Sequence, residues 1–507
     1  MRNIFQIIAA VLLMTSVSAS ETYFCTDELG KMPIQQGGRT KPLSVHAKES
    51  IKHLTGKKKV GDLSAVQAYC LLSARIFGMP ANIKLVARLE HKNTKKLFDG
   101  KDEMPYDELI DEQRTIRTAW MRIKEETGAK KDLNRLLAKV NLYQDITAGN
   151  NWTVPLYTGK EMSWIPLATY LTQEKVVALK GAPGNPFTKI FNDAREEYLK
   201  TEGDLFMLEY KYDQMQLMKI AMFTTLLGLA ALVLFKKFTI ALAFSTITVL
   251  IQTAYLIMRV YISGRAPVTN MYETVLFSGY GGLILAMIIG HYKKEKAFIY
   301  MGLAYNVCCL MMLNFAGSMV SESISPLVPV LRDNFWLSTH VTTIIISYGA
   351  LALSWIMANT IIIKKFFSKL SKADEIYYND LIYTSLKYGI TLLAAGIILG
   401  GVWADYSWGR FWGWDPKETW SLIVLCLYMA ILHGKYTAWI PAHRFAHLIA
   451  GAFMSVMMAW FGVNYILASG LHSYGFSEGG AIFLGTFFGI QTLVLIITYS
   501  SAKKSIS

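Results

Sequence analysis

The chain has 507 residues, 53% hydrophobic and only 17% charged, with 51 Lys and Arg against 37 Asp and Glu, a net charge of +14. So apolar a composition excludes disorder and predicts a polytopic membrane protein with a soluble part. The positive charge is not a nucleic-acid footprint: Lys pairs recur at the ends of apolar runs, as membrane topology produces, and no basic stripe with an RNA- or DNA-binding motif occurs.

At the N-terminus, Arg2 supplies a charge, Ile4 to Met14 an apolar core and Val17-Ser18-Ala19 a small-residue cleavage site, which predicts a signal peptide over 1–19. The alternative is an uncleaved anchor, although the run is short of the ~20 residues that a span needs. Either sends residues 20–214 across the membrane as a soluble, mostly helical extracytoplasmic domain. Gln113 to Val140 has helical periodicity. Met32 to Leu43, with Gly37-Gly38 and two prolines, reads as loop, as does Gly181 to Pro186 ahead of a polar helix leading to the membrane. Cys25 and Cys70 on the exported side make a disulfide the default expectation. His46, His53 and His91 show no metal-ligand spacing and read as ordinary surface residues.

From Met218 onward apolar runs alternate with short polar breaks, and nine spans are expected: Met218–Phe235, Phe238–Tyr261, Thr274–Gly290, Ala297–Met319, Val341–Ile363, Tyr388–Trp403, Thr419–His433, Phe445–Leu467 and Ile482–Tyr499. The fold class is therefore an all-α polytopic membrane unit, residues 215–507, behind the soluble domain. One set of breaks carries Lys236-Lys237, Lys293-Lys294, Lys364-Lys365, Lys435 with Arg444, and Lys503-Lys504; the other carries only Arg265, Arg332, Arg410 and Lys417. The positive-inside bias puts the first set and the C-terminus in the cytoplasm and the soluble domain outside. Cys308, Cys309 and Cys426 fall in spans as packing residues, and no Cys-x-x-Cys occurs.

Between the sixth and seventh spans, in the loop 403–420, stands Trp408-Gly409-Arg410-Phe411-Trp412-Gly413-Trp414-Asp415-Pro416-Lys417-Glu418. Such indoles either form an aromatic belt at the membrane surface or a face for a large flat ligand. Two histidines on the same side favour the ligand: His340 at the start of span five and His472 just after span eight. Two imidazoles approaching from opposite sides make six-coordinate haem iron, an indole platform supports the porphyrin, and Arg410 and Lys417 can pair with the propionates. The bland reading is two interfacial histidines capping helices. His433, bordering span seven, is an intramembrane candidate or a snorkelling side chain. His291 needs only an interfacial explanation, and the pair His443 and His447 has metal spacing in a basic loop. Asp415 and Glu418 are read as fixing the loop or orienting Lys417, with Asp405 and Glu273 weaker candidates for that duty.

With these motifs the chain resembles the haem-handling family of system II cytochrome c biogenesis, of the CcsA/ResC type. Trp408 to Glu418 is similar to its tryptophan-rich WWD signature, flanked in order by Gly264 to Glu273, Pro326 to Leu331 ahead of His340, and Leu471-His472-Ser473-Tyr474. Gly37 to Leu43 resembles a segment of fused CcsB–CcsA proteins. The resemblance covers roughly Thr239 to Ser501. It implies a multi-pass protein of the cytoplasmic membrane that binds haem b at the outer face and delivers it for thioether attachment to an apocytochrome c carrying Cys-x-x-Cys-His. Haem would be held by His340 and His472 as axial ligands, with His433 as the intramembrane histidine and Trp408, Arg410, Trp412, Trp414, Asp415 and Lys417 around it. It implies a holocytochrome c synthase activity shared with a CcsB/ResB-like subunit, and a thiol-reductant protein. The second intramembrane histidine comes either from that subunit or from a different arrangement, such as His291. A haem exporter without ligase activity and a non-haem scaffold are the other functional classes.

Overall fold

The computed structural model describes residues 24–79, 83–124, 128–181, 186–317, 319–327, 333–368, 370–467 and 480–502. The expected signal peptide and His472 lie outside the described residues. The chain divides into two compact units, Met1–Gln214 and Met215–Ser507.

The first unit packs helices and four two-stranded antiparallel sheets around one core. Met32 to Leu43, expected as loop, is a hairpin pairing Pro33–Gln36 with Arg39–Pro42. Its turn residues Gly37 and Gly38 both have positive φ, +61° and +76°, as a two-residue turn matched to strand twist requires. The expected helical stretch Gln113 to Val140 is two helices, Gln113–Arg122 and Gly128–Thr147; the first ends where Ile123 turns extended. Trp152 stacks on Phe191 at 5.2 Å, and Phe24 meets Phe187 at 5.4 Å. Cys25 and Cys70 form a disulfide inside this core.

His46 corrects the surface reading. Helix Leu43–Thr55 buries Leu43, His46, Ala47, Ser50, Ile51 and Leu54, a helical stripe that carries the imidazole inward with its apolar neighbours. Nε2 lies 2.7 Å from Asn151 Oδ1 and 3.2 Å from Tyr69 Oη. Loss of hydration, helped by the Lys41 cation, lowers its pKa to about 4.

The second unit is a helical bundle whose helices are numbered here α1 to α9: Leu217–Val233, Phe238–Ser263, Met271–Lys293, Ala297–Phe315, Asn334–Phe367, Lys372–Trp408, Pro416–Tyr436, Ala442–Leu467 and Gly480–Ala502. Eight are long and apolar enough to cross a membrane; α1, of 17 residues, gives a ninth when counted with helix Leu205–Gln214. All nine fall where the apolar runs predicted. The largest boundary difference is α6, which has 37 residues and so runs about 55 Å. It begins with Ser371 accepting from Asp374 N at 3.1 Å, because Lys372 to Lys387 continues the helical pattern with polar residues that hydropathy alone passes over.

Helices in lipid gain little from burying apolar surface and rely on close packing and polar contacts. Two such contact sets tie the bundle. Thr224 and Thr248 share a 2.8 Å hydrogen bond, and Asn306 donates to Gln252 at 3.2 Å, joining α1, α2 and α4. Trp355 Nε1 donates to Gln491 Oε1 at 2.8 Å, and Gln491 donates to Asn359 at 3.1 Å, joining α5 to α9. Cys309 is buried as expected of a packing residue, whereas Cys308 and Cys426 are exposed on the bundle exterior.

Candidate functional site

His340 sits in a π-helical segment, Leu337–Val341, at the start of α5. A wide turn re-aims side chains relative to a regular helix. The ring lies against α6: Nδ1 is 2.8 Å from the Gly396 carbonyl, and the Trp403 ring meets it edge-on at 5.8 Å. A Cβ on Gly400 would stand 2.5 Å from His340 Cε1, so the imidazole occupies space that only glycine leaves open. Trp403, 8% exposed, finds no acceptor for its Nε1 among the described residues.

The tryptophan loop follows from two helix ends. Gly409, at φ +66°, closes α6 with its N–H on Asp405 O at 2.8 Å. Six residues later Asp415 caps α7 in a capping box: Asp415 Oδ1 accepts from Lys417 N at 2.9 Å, and Glu418 Oε2 accepts from Asp415 N at 3.1 Å and Gly413 N at 2.8 Å. Pro416 occupies the first turn, where its missing N–H costs nothing. Asp415 and Glu418 therefore fix the loop. Trp414 has φ +56°, a backbone state that disfavours a bulky side chain. Trp412 and Trp414 meet at 6.0 Å with planes 88° apart. Phe411 lies on Gly401, where a Cβ would come within 2.4 Å of the ring, and the Arg410 guanidinium sits 6.0 Å from the Trp408 ring.

A third wall comes from the α2–α3 corner and α8. Arg259 and Glu273, both fully buried, form a 2.8 Å ion pair. Arg259 also donates to Glu322 O at 3.0 Å, and Glu273 Oε2 accepts from Thr269 N and Oγ1, each at 2.7 Å. This cluster pins residues 268–271 in place. A second π-helical segment, Met458–Leu467, presents Trp460 and Asn464; Trp460 Nε1 donates to Thr274 Oγ1 at 3.1 Å.

These walls line a cavity of about 1070 Å³ of empty space, a figure that includes the part open to solvent. Of the predicted residues, His340, Trp412 and Lys417 line it, together with Glu418, Trp403, Tyr348 and Trp460. Trp408, Arg410, Trp414 and Asp415 belong to the loop without lining the cavity; Trp414 is 71% exposed. His433 is far from it, fifteen residues along α7 from Glu418, or about 22 Å. Its ring is exposed, with Nδ1 2.8 Å from Met429 O. His291 is exposed at the end of α3, and His447 Nε2 contacts Thr498 Oγ1 at 3.3 Å. Glu273, a weaker candidate for fixing the loop or orienting Lys417, instead pairs with Arg259. The sequence reading missed Arg259, Trp403 and Trp460. Arg259 left a signal, a cation near the end of an apolar span.

Residues 268–472 match the family model described as cytochrome C assembly protein. The chain is 33% identical over 261 residues to the cytochrome c biogenesis protein CcsA of Guillardia theta, covering 46% of this chain and 83% of that protein. It is 32% identical over 259 residues to CcsA of Chlamydomonas reinhardtii, covering 50% and 73%. With Protein NrfI of Wolinella succinogenes it shares 36% identity over 241 residues, 44% of this chain but only 25% of that longer protein.

Proposed function

The chain belongs to the CcsA-type family of cytochrome c assembly proteins and acts in cytochrome c biogenesis, and from that premise we propose that its membrane unit binds haem b as substrate in this cavity and presents it to an apocytochrome c carrying Cys-x-x-Cys-His. The observation that carries the reading is the meeting of the His340 imidazole and the tryptophan loop on one cavity. The lining suits a porphyrin: flat aromatic walls from Trp403, Trp412 and Trp460, an imidazole for iron, and the Lys417 ammonium for a carboxylate. Arg410, held against Trp408, serves the loop.

In this reading His340 supplies one axial ligand and His472 the other. Filling both axial positions denies oxygen an open site. The substrate's own histidine then displaces one imidazole, and each cysteine thiol is held beside a vinyl group, so that a bimolecular addition becomes effectively intramolecular. The carbon–sulfur bond forms as the thiol hydrogen passes to the neighbouring vinyl carbon. The addition is redox-neutral; a thiol-reductant protein keeps the cysteines reduced beforehand. The charge bias of the loops supports an extracytoplasmic location for the cavity and a cytoplasmic C-terminus. His433, with its ring on the exterior of α7, fits a second haem position completed by a CcsB/ResB-like subunit in the same membrane.

The test is the reduced absorption spectrum of the detergent-purified protein. Bound haem is expected, lost in His340→Ala and in His472→Ala and restored by added imidazole; unchanged haem in both variants would sink the assignment. Coexpression with an apocytochrome c, with and without the CcsB-like subunit, separates thioether synthesis from haem export alone.

A further inference from the structure

We propose that α6 is the positioning element for His340: the Gly396 carbonyl fixes the imidazole tautomer, and Gly400 makes room for the ring, so that Nε2 is the atom presented to haem iron. The inference rests on the reading of His340 as an axial ligand. A carbonyl oxygen can only accept, so the 2.8 Å contact to Gly396 O puts the proton on His340 Nδ1 and the lone pair on Nε2. Ligating histidines are typically held this way, by a carbonyl or carboxylate on the other ring nitrogen, which also raises their basicity.

The fit extends over a matched seam. On α5, His340 and Ile344 are one turn apart; on α6, so are Gly396 and Gly400. A Cβ on Gly396 would come within 2.6 Å of Ile344, and one on Gly400 within 2.5 Å of His340 Cε1, 3.0 Å of Nδ1 and 3.2 Å of Nε2. The Nδ1–Cε1–Nε2 edge of the ring, which carries both nitrogens, therefore lies over Gly400. The π-helical turn at Leu337–Val341 sets the direction from which it arrives. Seven residues further from Gly396 along the same seam, Gly389 meets Leu351 with an equally close approach of 2.6 Å. That site has the same steric demand and no imidazole, which makes it the control.

The experiment compares Gly400→Ala, Gly389→Ala, His340→Ala and the double variant His340→Ala/Gly400→Ala as full-length protein in detergent. Haem content, reduced absorption bands and thermal midpoint are recorded for each. Gly400→Ala is expected to lower haem affinity about 10-fold or more, the range for a lost supporting partner of a metal ligand, and to shift the absorption bands. Gly389→Ala keeps the wild-type bands. In the double variant the vacated ring space takes up the added methyl, so its thermal midpoint equals that of His340→Ala. Wild-type bands and haem content in Gly400→Ala would overturn the proposal, as would equal effects of the two glycine variants or a double variant less stable than His340→Ala. If His340→Ala itself keeps wild-type bands, the ligand reading falls; if His340→Ala loses them while Gly400→Ala keeps them, the positioning role alone falls.

Discussion

Arg259 on α2 and Glu273 on α3 face each other 2.8 Å apart, with side-chain exposures of 0% and 1%. Such a pair is costly to bury, and removing one partner leaves the other charge stranded. Glu273→Gln and Arg259→Met are each expected to destabilise the membrane unit by about 3–5 kcal/mol. They also release residues 268–271 from the cavity wall, since Thr269 and the Glu322 carbonyl are held by the same two side chains. The double replacement Arg259→Met/Glu273→Leu is expected to be less damaging than either single change. Thermal unfolding of the three variants in one detergent decides it; a double variant showing the sum of the single losses would rule out the coupling.

Glu418 gathers two backbone donors of the tryptophan loop, from Gly413 and Asp415. Glu418→Ala is expected to cost about 1 kcal/mol of local stability, the usual worth of a cap, and to free Trp412 from the cavity. Glu418→Gln keeps an acceptor oxygen and loses less. Protease sensitivity around 409–415 should rank wild type, Gln, Ala; an alanine variant as resistant as wild type would show that the loop is held by its aromatic contacts instead.

The disulfide between Cys25 and Cys70 closes a sequence separation of 45. Chain-entropy reasoning assigns such a loop about 4 kcal/mol of stabilisation. Both cysteines are at most 1% exposed, so an attacking thiolate cannot reach them in the folded unit. The bridge should survive thiol reductant at moderate temperature, as counted by mass spectrometry of alkylated thiols, and Cys70→Ser should lower the unfolding temperature of the soluble unit. Rapid alkylation of both cysteines under native conditions would contradict the protected position.

Nine spans were legible because each is a long apolar run between short polar breaks, several of them marked by Lys pairs. The helix extension from Lys372 was hidden because its residues are polar. The tryptophan loop was legible as a unit, since glycine, proline and the Asp415/Glu418 cap specify it locally. What stayed illegible depends on long-range packing. His46 reads as a polar residue in a polar domain until helix Leu43–Thr55 turns its stripe inward. The glycines of α6 carry no local signal of the ring they accommodate. Trp403 and Trp460 look like ordinary span aromatics until the packing of α3, α5, α6, α7 and α8 brings them to one cavity.

His46 gives the soluble unit a definable acid sensitivity. Its pKa is lowered from 6.5 to about 4 in the folded unit, first by burial and then by Lys41. Above pH 6.5 the ring is neutral in both folded and unfolded chains, and the stabilisation is fully present. As pH falls below 6.5 the unfolded chain takes up a proton that the folded unit refuses, so stability declines by about 1.4 kcal/mol per pH unit. The decline levels off near pH 4, after a loss of roughly 3 kcal/mol, once the folded imidazole also protonates. Ordinary carboxylates begin to titrate at the lower end of the same window, so the wild-type profile alone does not isolate the histidine. His46→Gln removes the titration while keeping a polar group for Asn151 and Tyr69. The difference between the two unfolding profiles, followed by Trp fluorescence of the full-length protein from pH 7 to 4, should therefore grow steadily as pH falls from 6.5. Parallel profiles would mean that the buried imidazole takes its proton without penalty, and the packing of His46 against Tyr69 and Asn151 would have to be looser than its contacts indicate.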